Sequence, residues 1–236
     1  MPAHPPLRPE TAHPTKTSGT SERSGTSGGP TATSGTTDDL TPKGRRTRAR
    51  IVAAAAQLML DHGVAGTTVE DVREAAGVST SQIYHYFAGK QALIGAVIDY
   101  QTETIVGTQE SVLTALDSHE NLRAWRNHIV RHLRLVLCRG GCPLGSLGSE
   151  LAETDADARV DVAIGFTRWE QAIRSGLHGM RERGTLAPDT DTEELALATL
   201  AALQGGLLLA KIQRTTRVLE AGLDAMLALV ESHSTT

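Results

Sequence analysis

Two helix-start signatures stand twelve residues apart in this chain, Thr67 with Glu70 and Ser79 with Gln82, and one glycine, Gly77, lies between them. A hydroxyl residue followed three positions on by Glu or Gln has the spacing of a capping box, which satisfies the free backbone amides of a helix start. Two starts so close together leave room only for two short helices joined by a tight turn. Gly77 suits the left-handed turn position at no steric cost. Val69 and Val72 give the first helix an inner face, Ala75 and Ala76 permit close packing, and Val78 fills the angle between the helices. On the second helix Ile83 and Phe87 are four apart and point inward, which turns Thr80, Ser81, Tyr84 and His85 outward.

A support helix, a turn, and a helix with an apolar back and a hydrogen-bonding front are the parts of a helix-turn-helix. The outward groups have the size and chemistry for base edges and phosphates. The flanks add cations. The run KGRRTRAR from Lys43 to Arg50 carries five, among them Arg45, Arg46 and Arg48, and Lys90 opens the next helix, where free amides also attract phosphate. The net charge of −4 conceals an asymmetry: residues 43–90 hold seven basic and four acidic residues, residues 91–236 thirteen and nineteen. A basic head on an acidic body still attracts nucleic acid, because local potential governs encounter. A plain helical hairpin with a solvated basic run explains any one of these features. Their coincidence favours DNA reading.

The rest of the chain reads as helices. Aromatic residues make up only 3%, so the core must come from Ala, Leu, Val and Ile, which favours helix over strand. Three- and four-residue apolar steps predict helices over about 45–62, 90–108, 121–138, 157–182, 192–213 and 216–231, with a glycine-rich break at RGGCPLGSLGSE. No stretch alternates as a strand, and no internal repeat is found. The expected class is therefore all-α. Residues 1–42 are rich in Thr, Ser, Gly and Pro and are expected to form a disordered tail. The most apolar stretch, Leu195 to Ala210, falls short of the roughly 20 residues of a spanning helix and reads as a buried helix interface. No apolar signal segment opens the chain, and two cysteines are too few for a disulfide framework, so no membrane and a cytoplasmic location are expected.

Residues 45–95 resemble the N-terminal domain of the tetracycline-repressor (TetR) family. The resemblance rests on Gly63–Val72, read as G-x-x-x-T-T-V-E-D-V, on AAGVS at Ala75–Ser79, and on IYHYFAGKQAL at Ile83–Leu93. The departures are Ile83 for Leu and Tyr86 for His. The resemblance implies an all-helical homodimer of about nine helices per chain. Residues 43–90 would bind a near-palindromic double-stranded DNA operator, and residues 91–236 would bind a small-molecule effector and dimerise. It implies phosphate contacts from Thr68, Ser81, Tyr84, Tyr86 and Lys90; Thr80 and His85 are then assigned to base edges. Gly141–Glu153 and Leu203–Arg214 resemble the LmrA/YxaF-like subgroup, related to repressors of multidrug-export genes.

Trp125, Phe166 and Trp169 are conspicuous in a chain so poor in large rings. With His128, Ile129, His132, Ile173 and Gln204 they form the expected effector pocket, although aromatic side chains at helical spacing suit a plain core equally well. Leu203, Gly205, Gly206, Leu209, Leu223 and Leu227 form the expected dimer interface. His128 and His132, four apart, could reach one metal. Ile129 rules out the H-E-x-x-H pattern, so a pocket wall is expected and no metal. Cys138 and Cys142 could form a redox pair, but ordinary buried thiols account for the spacing. Glu150, Glu153, Asp155, Asp157 and Asp161 read as a solvated face paired with a helix start. No cofactor motif and no complete catalytic constellation appears, which argues against an enzyme. The competing readings are a helical metal-dependent enzyme and a module that binds anionic partners without reading sequence.

Overall fold

Thr41 and Pro42 open the first helix. The Thr41 hydroxyl oxygen accepts from the Gly44 amide at 3.1 Å, and Pro42 stands at a position whose amide would go unpaired in any case. The computed structural model describes residues 40–235. The expected tail, apart from its last three residues, lies outside the described residues. Helix α1 (Pro42–His62) buries Ile51, Val52, Ala55, Ala56 and Met59 and ends at Gly63 with φ +77°. Helices α2 (Val69–Ala76) and α3 (Thr80–Tyr86) follow. Helix α4 (Lys90–Thr102) continues through a π segment, Glu103–Gly107, into α5 (Thr108–Thr114). The remainder comprises α6 (His119–Leu135), α7 (Pro143–Leu151), α8 (Ala156–Glu182), α9 (Thr192–Gln213) and α10 (Arg217–Ser232). With α4 and α5 taken as one rod, nine helical rods make up the described residues, and the all-α expectation holds. Their only β feature is an isolated bridge between Leu186 and Ser234.

The first capping box sits one residue later than its spacing suggests. Thr68 is the cap: its amide donates to Asp71 Oδ2 at 2.8 Å, and its hydroxyl oxygen accepts from the Asp71 amide at 3.2 Å. Thr67 is buried instead, and its hydroxyl donates to the Gly63 carbonyl at 2.8 Å, closing the α1–α2 turn. Glu70 is thereby released to pair with Arg73 at 2.7 Å. The second box forms as expected, between Ser79 and Gln82.

The glycine-rich break is a helix, α7. Pro143 starts it, Cys142 Sγ accepts from the Gly145 amide at 3.3 Å, and Leu144, Leu147 and Leu151 face inward. Its glycines mark close crossings rather than a chain break. A Cβ at Gly148 would lie 3.1 Å from Val162 Cγ1, and one at Gly165 of α8 would lie 3.0 Å from Leu144 Cδ2. Helix α4 bridges the two parts of the chain, packing on α1 at one end and on α8 and α7 along its length.

Helix α9 packs on α8 and α10, and this contact corrects the expected dimer interface. Leu203, Gly206, Leu223 and Leu227 are buried within their own chain. A Cβ at Gly206 would stand 2.9 Å from Leu219 Cα, so this glycine serves the α9–α10 crossing and not an intermolecular one. Gly205 and Leu209 do face outward, beside Leu197, Leu208 and Ile212, the last 66% exposed. At 22 residues, with an 18-residue stretch of mean hydropathy 1.7, α9 is long and apolar enough to cross a membrane by composition, more than its sequence suggested. In the folded chain Leu195, Leu203 and Leu207 are covered.

Candidate functional site

The reading head is built from α1 to α3. Val72, Val78, Ile83 and Phe87 are all buried and fix α3 against α2 and α1. The Arg48 guanidinium lies over the Phe87 ring, 5.2 Å from its centroid, so this cation also covers the back of the unit. Gly77 holds φ +60°, the left-handed conformation the turn requires.

The front of α3 stands free. Thr80, Ser81, Tyr84 and His85 are exposed, Tyr84 by 57%. Ser81 Oγ is 2.9 Å from Ser79 Oγ. The His85 and Tyr86 rings meet edge to face, with centroids 4.8 Å apart. Tyr86 is half-buried, and its hydroxyl reaches the start of α1 near Gly44. Thr68 is exposed at the start of α2, but its hydroxyl also donates to Asp71 Oδ2 at 2.6 Å. These side-chain and amide hydrogen bonds from Thr68 hold the Asp71 carboxyl below the usual carboxylate range.

The cations divide into two kinds. Arg45 donates to the Leu40 carbonyl at 2.6 Å and remains exposed, as do Lys43, Arg46 and Arg50. None of the five cations in Lys43–Arg50 forms an ion pair among the described residues. Lys90 differs. It is half-buried, and its Nζ donates to the Val64 carbonyl at 2.6 Å, anchoring the α1–α2 loop. Expected as a phosphate contact alone, it also carries a structural bond. Arg46→Ala should therefore reduce the salt slope of DNA binding by about 0.9 per phosphate released, without changing the melting midpoint. Lys90→Ala should reduce DNA affinity and also lower the midpoint by roughly 2–4 °C, the worth of about one hydrogen bond. Salt-titrated binding and thermal melts separate the two.

Chemically, the head presents a helix about 10–12 Å across with donors and acceptors on its front and cations at its flanks. A major groove about 12 Å wide, lined by base edges and bordered by phosphates, complements it.

The second part of the site is a cavity of about 480 Å³ between the α4–α5 rod, α6, the α6–α7 loop, α8 and α9. Trp169, Leu133, Leu203 and Leu207 form its buried floor; His128, His132, Arg139, Thr104 and Thr108 are exposed at its mouth. Of the expected pocket residues, His128, Ile129, His132 and Trp169 meet here. Phe166 and Gln204 line an adjoining open groove with residues of α7. Trp125 and Ile173 line neither. Both are buried in the core, and Trp125 Nε1 donates to Gln109 Oε1 at 3.1 Å, tying α6 to α5. The residues missed include Gln101, Thr104, Ile105, Thr108, Arg139 and Leu207. The first four recur at helical spacing, a stripe that was present in the sequence. Thr104 and Ile105 belong to the π segment, a distortion that often accompanies functional sites.

The loop closing the cavity is conformationally unusual: Leu137 and Cys138 take positive φ at 52° and 54°. Cys138 and Cys142 are both free and buried, and burial pushes the Cys142 thiol up despite the Gly145 amide bond to it. Among the described residues no group of three or more His, Cys, Asp or Glu side chains is placed to hold a metal.

Two links join the cavity to the reading head. The α4–α5 rod runs from Lys90 to the cavity wall. Glu150 of α7 accepts from the Ala65 amide at 2.8 Å, gripping the same α1–α2 loop that Lys90 holds.

Comparison with known proteins covers both parts. Residues 51–97 match the profile of bacterial regulatory proteins of the tetR family, and residues 118–226 match a tetracyclin repressor-like C-terminal domain. An uncharacterised HTH-type transcriptional regulator of Lactococcus lactis is 28% identical over 187 residues, which cover 77% of this chain and 92% of that protein. The HTH-type transcriptional repressor DhaR of a Mycobacterium strain is 26% identical, covering 73% of this chain and 86% of its own length. A TetR transcriptional regulator from Chloroflexus aurantiacus superposes with a TM-score of 0.71 at 28% identity, over 82% of this chain and 98% of that one. A TetR-family regulator from Cytophaga hutchinsonii shares the fold, with a TM-score of 0.72 at 21% identity, over 84% of this chain and 100% of that one.

Proposed function

Because the chain belongs to the tetracycline-repressor family of DNA-binding transcriptional regulators, we propose that it is a homodimeric repressor released from a near-palindromic operator by a small, largely apolar effector. The observation that carries this reading is the exposed polar front of α3, rigidly backed and flanked by cations unpaired among the described residues.

Dimerisation is supported by the outer face of α9. Leu197, Leu208, Leu209 and Ile212 are 40–66% exposed along this helix. A contiguous apolar patch of this kind is what a monomer avoids. Two-fold pairing through it would repeat the reading helix, and successive major grooves on one face of DNA are about 34–36 Å apart. Leu208→Glu should convert a dimer to a monomer in light scattering and abolish operator binding, while the melt stays cooperative. A dimer that persists refutes this interface.

Release follows from a population shift. An effector that binds more tightly to a state with mismatched reading helices draws the protein off DNA. The cavity fits such a ligand in size and in its apolar floor. The test is selection of genomic fragments by the purified protein, repeated in the presence of apolar small molecules. Selection of one near-palindromic site supports the reading. Equal binding to random duplex overturns it and leaves a non-specific basic module.

A further inference from the structure

An unmet polar group lies just beneath the apolar floor of the cavity. Trp169 is only 2% exposed, and its indole Nε1–H has no hydrogen-bond partner. The other indole, of Trp125, is satisfied by Gln109. A buried donor left unmet costs about 1–3 kcal/mol; this N–H has no surface open to the cavity, so a ligand oxygen or nitrogen satisfies it only when the indole edge turns toward the void.

The mouth makes a second demand. Its ionisable lining residues are His128, His132 and Arg139; no Asp or Glu lines this cavity among the described residues. Arg126, Arg134 and Arg168 nearby are occupied by carboxylates of the chain. Arg139 has no such partner among the described residues, and its guanidinium keeps the planar fork that matches a carboxylate. Arg134 and Arg214 border an open cleft that Arg139 shares, which raises the positive potential at the entrance. A cationic effector would meet no counter-charge here. A hydrocarbon would leave both the mouth and the Trp169 N–H unused.

We infer that the effector is an oxygen-bearing organic acid: its carboxylate is held at the mouth by Arg139 with the two histidines, its apolar body lies on Leu133, Leu203 and Leu207, and a second oxygen accepts from Trp169 Nε1 once the indole edge turns to the void. At about 30 Å³ per water-sized group the cavity takes roughly 16 non-hydrogen atoms. This assignment rests on the cavity being the effector site.

Calorimetry on the full chain tests it, with decanoate, its terminally hydroxylated analogue, decanol and decylamine as probes. Decanoate should bind about tenfold more tightly than decylamine, the worth of one charge-assisted hydrogen bond. The hydroxylated acid should bind more tightly again. Arg139→Gln should erase the first preference and Trp169→Phe only the second; the Trp169 indole N–H makes no hydrogen bond among the described residues, and a cooperative melt checks that the smaller ring still fills its buried place. Decylamine binding as tightly as decanoate, or either preference surviving its variant, overturns the assignment. Decanol binding and releasing the selected DNA fragment when neither acid does so overturns the acid but leaves the effector site standing. If none of the four binds or releases DNA, the assignment and the effector reading of the cavity both fall.

Discussion

Gly176→Ala lowers the melting midpoint by roughly 5–10 °C, the cost of forcing a methyl into a close-packed crossing. Gly176 lies inside α8, where α5 crosses it. A Cβ there would stand 2.2 Å from the Leu113 carbonyl oxygen and 3.0 Å from Leu116 Cβ. Leu113 and Leu116 are themselves fully buried, and a backbone carbonyl in a helix end cannot swing aside as a long side chain can. Alanine's better helix propensity offsets only about 1 kcal/mol of this strain. Gly95→Ala is the matched control. Its new methyl would meet only Asp161 Oδ2 at 3.7 Å, an ordinary contact, and the midpoint should rise slightly. Melts followed by circular dichroism decide the matter; a Gly176→Ala midpoint within about 2 °C of the parent would refute so tight a crossing.

His85→Ala should leave the fold intact and weaken operator binding on the order of a hundredfold or more. The ring is exposed and makes only an edge contact with Tyr86, so little stability is lost. One base contact contributes about 1–3 kcal/mol of discrimination. In a dimer the loss is taken twice, about 2–6 kcal/mol in all, while the phosphate contacts that hold any duplex are untouched. Competition between the selected operator and a scrambled duplex measures this. Should affinity for both fall alike, His85 touches phosphate and the base assignment passes to Thr80 and its neighbours.

The legible and illegible parts of this chain differ in the range of the contacts that make them. The second capping box, the turn glycine and the limits of α9 are local, and residues within four positions of one another decide them. The first box went astray by one residue because Thr67 and Thr68 are equivalent as caps, and only burial of Thr67 separates them. Helix α7 was hidden because glycine reads as a breaker until Val162 is brought against Gly148. Gly206 misled in the opposite sense: its close approach is real, but the approaching helix is α10 of the same chain. The cavity was half legible for the same reason. Its α6 face stands out in the sequence, whereas Arg139 and Leu207 join it only through long-range packing.

The hydrogen bond from the Ala65 amide to Glu150 spans 85 residues of chain, and it has a meaning for synthesis. Lys90, the other grip on that loop, is made early, so a nascent head can close its α1–α2 turn soon after emerging from the ribosome. At about 5–20 residues per second, roughly 3–12 s then pass before residue 150 is added. During that interval the head is complete in shape but untied from the body that would control it, and α9, which would pair it with a second copy, does not yet exist. A single unpaired head grips DNA only weakly. On the proposed function, the order of the elements along the chain would keep each newborn molecule from holding an operator before the parts that can remove it have been made.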